Sequence, residues 1–259
     1  MSDVVLYEVT DHVALVTLNR PEARNALNAA VRDGLWRGFA EAEHDRGVHV
    51  VIVTGADPAF CAGLDLKELG QGVSEQGART QTTADPTLHR FFPYMSKPVI
   101  AAVNGACVTG GLEVALQCSF IVASERARFA DTHGRVGVMP GAGMTVLLPQ
   151  AIGVRRAREM SLTGNYIDGA EAHRLGLANH VVAHVELIPF CRSLAADIVS
   201  VDPAASRQLL ATYEAGSHTT VGEAIRVEAL ASRGWQRDAA GIEARRQAIM
   251  ERARGQAGS

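Results

Sequence analysis

Val99-Ile100-Ala101-Ala102-Val103-Asn104-Gly105-Ala106-Cys107-Val108-Thr109-Gly110-Gly111-Leu112-Glu113 runs from apolar residues through small ones to an acid, and the fold turns on how it is read. Over residues 99–123 the only charge is Glu113, and the stretch is long enough to cross a bilayer. Asn104, Gly105, Gly110, Gly111 and Gln117 interrupt it, which favours a buried strand, a loop and a helix and no membrane insertion. Val99–Val103 follows Pro98 and ends at Asn104-Gly105, and residues 48–54 form a second apolar run without alternation. Such runs suit strands buried on both faces of a parallel sheet.

Upstream, residues 4–9 and Val13–Leu18 flank Thr10-Asp11-His12 and predict a β-hairpin. Asn28 can cap a helix in which Ala29, Val31, Leu35, Phe39 and Ala42 recur at helical spacing. Residues 70–84 are polar and contain glycine, which predicts a mobile loop or short helix. The order of strands and helices predicts α/β crossover units. After Gly143 strand signals fade, and residues 151–162, 168–175, 185–201, 203–213, 221–235 and 242–254 all predict helices. The expected organisation is a core over residues 1–200 and a C-terminal helical region over residues 201–259, packing on the core or on a neighbouring subunit. No Pro/Ser-rich linker separates them, and no repeat of fixed period is present.

Composition narrows the function. The chain has 259 residues, 47% hydrophobic and 20% charged, enough apolar material for its own core. Lys plus Arg number 25 against 28 Asp plus Glu, a net charge of −3 with no basic run, so nucleic acid is not an expected partner. Cys61, Cys107, Cys118 and Cys191 form neither a C-x-x-C pair nor a dense framework and read as reduced core cysteines. The start carries Asp3 and lacks the basic and apolar regions of a signal peptide, so a cytoplasmic protein is expected.

The chemistry points to two strand-to-loop junctions, Phe60-Cys61-Ala62-Gly63-Leu64-Asp65-Leu66 and the stretch from Asn104 to Glu113. Small residues leave backbone N–H groups uncovered, and the first N–H groups of a helix have no internal partner. Two such junctions on neighbouring strands can aim two N–H groups at one oxyanion. Either alone also fits a tight turn in which glycine meets a steric need. The acid beside them, Glu113, stands in an apolar run, where desolvation raises its pKa and a helix N-terminus lowers it. It can thereby serve as a base near neutral pH, although acids in a first helical turn also face solvent commonly.

These segments, with Asn19-Arg20-Pro21-Glu22-Ala23-Arg24-Asn25-Ala26-Leu27-Asn28 and Gly137-Val138-Met139-Pro140-Gly141-Ala142-Gly143, resemble in order the signatures of the crotonase or enoyl-CoA hydratase-isomerase superfamily. Leu162-Thr163-Gly164, Ala170-Glu171-Ala172 and Gly176-Leu177-Ala178 continue the match, which spans most of residues 4–182. The resemblance implies an α/β fold, a crotonase-like spiral of ββα units with a helical C-terminal region, assembled as a homotrimer or homohexamer. It implies a lyase of lipid and fatty acid metabolism acting on an acyl-CoA thioester, whose coenzyme A is part of the substrate and not a separate cofactor. By motif, Ala62 and Gly110 are the expected oxyanion donors. Ala23, Arg24 and Ala26 would line the CoA path, with Ala62, Leu64, Asp65 and Gly110 beside it.

In the hydratases two glutamates hold the water that adds to the double bond. Glu113 matches the first. Reading back from Gly137 places His133 at the second, a departure from the pattern, so enoyl-CoA isomerase, thioester hydrolase or a silent acyl-CoA-binding protein stand as alternatives to hydratase. Histidine exchanges a proton near neutral pH and can hydrogen-bond a water. Asp131, two residues before it, would share its face in an extended segment and is a reserve candidate. His89, His173, His180 and His184 lack metal-ligand spacing, and neither a G-x-S-x-G elbow nor a dinucleotide loop after a strand is present. Arg245, Arg246, Glu251, Arg252 and Arg254 read as a solvated helix face, within reach of a CoA phosphate by the resemblance.

Overall fold

The computed structural model describes residues 4–70, 90–217, 219–236 and 239–257. The hairpin forms as β1 (Val5–Thr10) and β2 (Val13–Leu18), antiparallel, with Thr10 facing Val13 across Asp11 and His12, both at positive φ. A helix α1 (Ala29–His44) follows, capped by Asn28, whose Oδ1 accepts the Val31 N–H at 2.9 Å. Three ββα turns come next. Each carries a longer strand, a three-residue strand and a short helix: β3 (Val50–Gly55), β4 (Ala59–Cys61) and α2 (Leu66–Gly70); β5 (Val99–Val103), β6 (Ala106–Val108) and α3 (Gly110–Leu116); β7 (Phe120–Ser124), β8 (Arg128–Ala130) and α4 (His133–Val136).

The longer strands assemble one sheet in the order β1, β2, β3, β5, β7 and β10 (His180–Val182), parallel from β2 onward. The short ones form a second sheet in the order β4, β6, β8 and β9 (Ile167–Asp168). Every residue of β3 and β5 is buried, as the unbroken apolar runs predict. Alternation explains why both faces need apolar residues. Val51, Val53, Ala101 and Val103 enter the larger core with Val31, Leu35 and Phe39 of α1, and Phe39 stacks on Phe92 at 4.1 Å. Val50, Ile52, Ile100 and Ala102 point the other way, onto Leu187, Cys191 and Ala195 of helix α8 (Leu187–Val199). Lys97 is buried, yet its Nζ donates to the carbonyls of Ala42 and Asp45 at the end of α1, at 2.5 and 2.6 Å.

Several sequence expectations are corrected. Three-residue strands β4, β6 and β8 occupy what reads as loop, because they are too short for periodicity to register. The expected helix over residues 151–162 is two helices, α5 (Met144–Ile152) and α6 (Val154–Thr163), divided where Gly153 takes φ +77° and ψ +150°. Two strands, β9 and β10, also lie beyond Gly143; β9 leads into α7 (Gly169–Leu175). The loop expected over residues 70–84 falls outside the described residues, except for Gly70 at the end of α2. Among the described residues no helix is long and apolar enough to cross a membrane.

By contacts the chain divides into two units, Met1–Arg207 and Gln208–Ser259, with the division inside α9 (Pro203–Ser217). The second holds the rest of α9, with α10 (Val221–Gly234) and α11 (Ala239–Ala257). Neither α9 nor α10 buries a side chain, and Leu209, Tyr213, Val221, Ile225 and Leu230 are exposed in the single chain.

Asn25 holds the turn after β2 in place. Fully buried at φ +57°, it accepts the Arg20 N–H on Oδ1 at 2.8 Å and donates from Nδ2 to the carbonyls of Ala56 and Ala59. Asn25→Ala strands three backbone groups and should destabilise the fold by about 3 kcal/mol, measured by urea unfolding.

Candidate active site

The segment after β2 is laid against the junction after β4 as an added strand. Leu27 bridges Leu64 in parallel register, its N–H donating to Gly63 at 2.8 Å and its carbonyl accepting from Asp65 at 3.4 Å. The Ala62 N–H donates to the Arg24 carbonyl at 3.0 Å. That bond corrects the expectation for Ala62: its amide is engaged and cannot face an oxyanion. Backbone groups alternate sides along a strand, so the Leu64 N–H points away from the segment of residues 24–27. It is bonded to no other described backbone group. A Cβ placed on Gly110 would lie 3.7 Å from the Leu64 nitrogen, 3.1 Å from Leu27 Cδ1 and 3.3 Å from Phe91 Cζ. Glycine at 110 therefore keeps open a small space bordered by the Leu64 amide, Leu27 and Phe91. The Gly110 N–H, at the first position of α3, has no partner within the helix.

The two junctions pack closely against each other. A Cβ on Gly63, which sits at φ +94°, would fall 1.8 Å from Thr109 Oγ1, and one on Gly111 would fall 2.3 Å from the Cys61 carbonyl. Thr109 itself is held at φ +48° and ψ −116°, a conformation that strains a residue with a Cβ by about 1–3 kcal/mol. The Thr109 N–H bond to the Ala130 carbonyl, at 3.0 Å, helps to hold it there.

Ala23 ends a short 3-10 helix, and Arg24 follows in the left-handed region at φ +49° with its side chain exposed. Asp65, expected beside the CoA path, is buried. Its Oδ2 binds Arg20 Nη1 at 2.5 Å and its Oδ1 accepts the Lys67 N–H, and the Arg20 hydrogen bond holds the carboxyl below its ordinary range. The same Arg20 nitrogen donates to the Ala26 carbonyl at 3.3 Å, so Arg20 and Asp65 clamp the 24–27 segment onto the junction.

Glu113 lies on the first turn of α3 and is 2% exposed. Its Oε1 accepts the Ala142 N–H at 2.7 Å and the Met144 N–H at 3.4 Å. Burial raises its pKa above the ordinary 4.5, outweighing those two bonds and the nearby His133 ring, while Asp131 pushes in the same direction as burial. Its Oε2 stands 3.7 Å from His133 Nε2, too far for a direct hydrogen bond. His133 opens the short helix α4, and a turn brings Asp131 to it. Asp131 Oδ1 accepts the His133 backbone N–H at 3.2 Å and faces Nδ1 at 2.7 Å. Asp131 is also hydrogen-bonded by the Ser161 side chain, and despite burial these contacts keep its carboxyl below the usual range. With Nδ1–H donated to Asp131, Nε2 is the histidine atom that looks toward Glu113.

The structure thus brings Glu113 and His133 together, sets the Leu64 nitrogen near Gly110 where Ala62 was expected, and makes Asp131 a partner of His133. The Leu64 amide was legible in principle, from the alternation of a strand that begins at Ala59. Among the described residues no group of three His, Cys, Asp or Glu side chains could hold a metal. The docking of the junctions is directly testable. Gly63→Ala should destabilise the protein by about 3 kcal/mol or more in denaturant unfolding, and Thr109→Ala in that background should recover part of the loss by removing the nearest clashing atom.

Comparison with known proteins identifies the family of the chain. The sequence matches the enoyl-CoA hydratase/isomerase family over residues 8–244. It is 34% identical to the crotonyl-CoA hydratase of Syntrophomonas wolfei over 226 residues, 87% of this chain and 86% of that one. It is 40% identical to the (E)-benzylidenesuccinyl-CoA hydratase of Thauera aromatica over 202 residues, 77% of each chain. The crystal structure of enoyl-CoA hydratase from Mycobacterium tuberculosis H37Rv superposes with a TM-score of 0.75 at 47% identity, covering 89% of this chain and 98% of that one. The chain belongs to the enoyl-CoA hydratase/isomerase family.

Proposed function

We propose that the protein is an enoyl-CoA hydratase, a lyase that adds water reversibly and syn to a 2-enoyl-CoA to give a 3-hydroxyacyl-CoA. The observation that carries this reading is a buried glutamate of raised pKa, Glu113, placed one turn from the Gly110 amide, at a junction that keeps the space before the Leu64 amide open. The thioester oxygen accepts from the Leu64 and Gly110 N–H groups. Glu113 takes a proton from water as the water oxygen bonds to C3, and the displaced π electrons move to the thioester oxygen as an enolate. Protonation at C2 by the Glu113 and His133 pair completes the addition. His133 Nε2 and Glu113 Oε2, 3.7 Å apart, can both hydrogen-bond one water that sits beside the line joining them. Ala23, Arg24 and Ala26 line the CoA path in this reading, beside Leu64, and no separate cofactor is invoked.

The four cysteines are free, which suits a reducing compartment and a cytoplasmic enzyme. The apolar residues exposed on α9 and α10 support a homotrimer or homohexamer, since such helices bury their apolar side chains in a partner. Light scattering should give a mass of three or six chains; a monomer contradicts the assembly.

The chemical test is loss of the enoyl chromophore with short, medium and long 2-enoyl-CoA substrates, with products identified by mass. Gain of one water is expected. An unhydrated isomer or free coenzyme A would instead favour the isomerase or hydrolase allowed by His133 in place of a second glutamate. Glu113→Gln should lower turnover by about two to four decades. It should also melt higher than wild type at pH 7. A carboxyl whose folded pKa lies above the ordinary 4.5 contributes stability below that pH, and the contribution is lost as pH rises through the folded value.

A further inference from the structure

Gln117 is the C-cap of α3, one turn beyond Glu113 and on the same face of the helix. Its Nε2 donates to the Ala142 carbonyl at 2.8 Å, and its Oε1 accepts the Phe91 N–H at 3.3 Å. A donor end against a carbonyl and an acceptor end against an N–H fix the orientation of the amide, because the flipped form would oppose like groups at both ends. Ala142 is the residue whose N–H binds Glu113 Oε1 at 2.7 Å. One residue of the loop before α5 is therefore held twice by α3, by its N–H to Glu113 and by its carbonyl to Gln117. At the other end, Phe91 borders the space kept open by Gly110, with Cζ 3.3 Å from where a Cβ there would stand.

We propose that Gln117 is a positioning residue that fixes the Ala142 amide on the Glu113 carboxylate and, through Phe91, the wall of the space before the Gly110 and Leu64 amides. The inference rests on the reading of Glu113 as the base. Without Gln117 the Ala142 carbonyl loses its donor and the loop is free to draw its N–H off Glu113. That N–H favours the charged carboxylate, so its retreat moves Glu113 further toward the protonated form. The groups that face Glu113 otherwise, His133 from α4 and Asp131 before it, stay in place.

The test compares the full-length wild type with Gln117→Leu, close in size and without either hydrogen bond. The Glu113 carboxyl is titrated by infrared difference against the same protein carrying Glu113→Gln, and kcat and KM are measured across pH. Gln117→Leu should titrate Glu113 at higher pH, move the acid limb of kcat upward, and lower kcat by about tenfold with a smaller change in KM. A variant that melts lower but keeps the wild-type titration and acid limb overturns the proposal and leaves Gln117 a purely structural residue. If Gln117→Leu fails to fold, Gln117→Met serves, since it is uncharged, close in size and lacks the donor to the Ala142 carbonyl; wild-type titration in it overturns the proposal equally. A wild-type protein that hydrates no enoyl-CoA would defeat the functional reading alone, because the infrared titration of Glu113 does not depend on turnover.

Discussion

The contact on which the rest of the site depends is the close approach of two backbone junctions, with Gly63 under Thr109 and Gly111 under the Cys61 carbonyl. No side chain fits between them. That approach is what brings the Leu64 amide, from one ββα turn, beside Gly110 from the next, and it fixes the start of α3. Neighbouring parallel strands set the distance: β4 and β6 pair with Cys61 opposite Cys107, so the chain leaves both at one level of the sheet. The strained φ of Thr109 is the local consequence, held by the surrounding sheet and by the bond to Ala130.

Around this junction the electrostatics are arranged by burial. Glu113 has two backbone donors and a neighbouring imidazole, yet desolvation prevails and its carboxyl is raised. Asp131 is buried too, and there the hydrogen bonds from His133 and Ser161 prevail in the opposite direction. Two carboxyls a few ångströms from one histidine thus have their pKa values pushed apart, so that one holds the ring as a carboxylate while the other is shifted toward its protonated form. The Arg20 and Asp65 pair is of a third kind: it clamps two chain segments and leaves the carboxylate engaged.

Much of the fold was legible. The unbroken apolar runs over residues 48–54 and 99–103 announced strands covered on both faces, and alternate residues of the strands that form there do enter different cores. The hairpin and α1 followed from local turn and cap chemistry. The short strands β4, β6 and β8 did not, since three residues carry too little periodicity to separate strand from loop. The break at Gly153 was hidden because an apolar and basic helical pattern runs through it, and only the positive φ of one glycine divides it.

The sequence by itself determined the family, through ordered motifs, together with the acid, the small residues around it and the histidine where a second acid was expected. These are matters of residue type at a position, which the chain states directly. The tertiary structure decided which amide is open, Leu64 and not Ala62, because the direction of an N–H depends on which segment pairs with the strand on each side. It also decided that Asp131 turns to grip His133, and that Gln117 ties Ala142 to Phe91. Those partners come from segments separated in sequence, and only the packed chain fixes which of their hydrogen-bonding groups face each other.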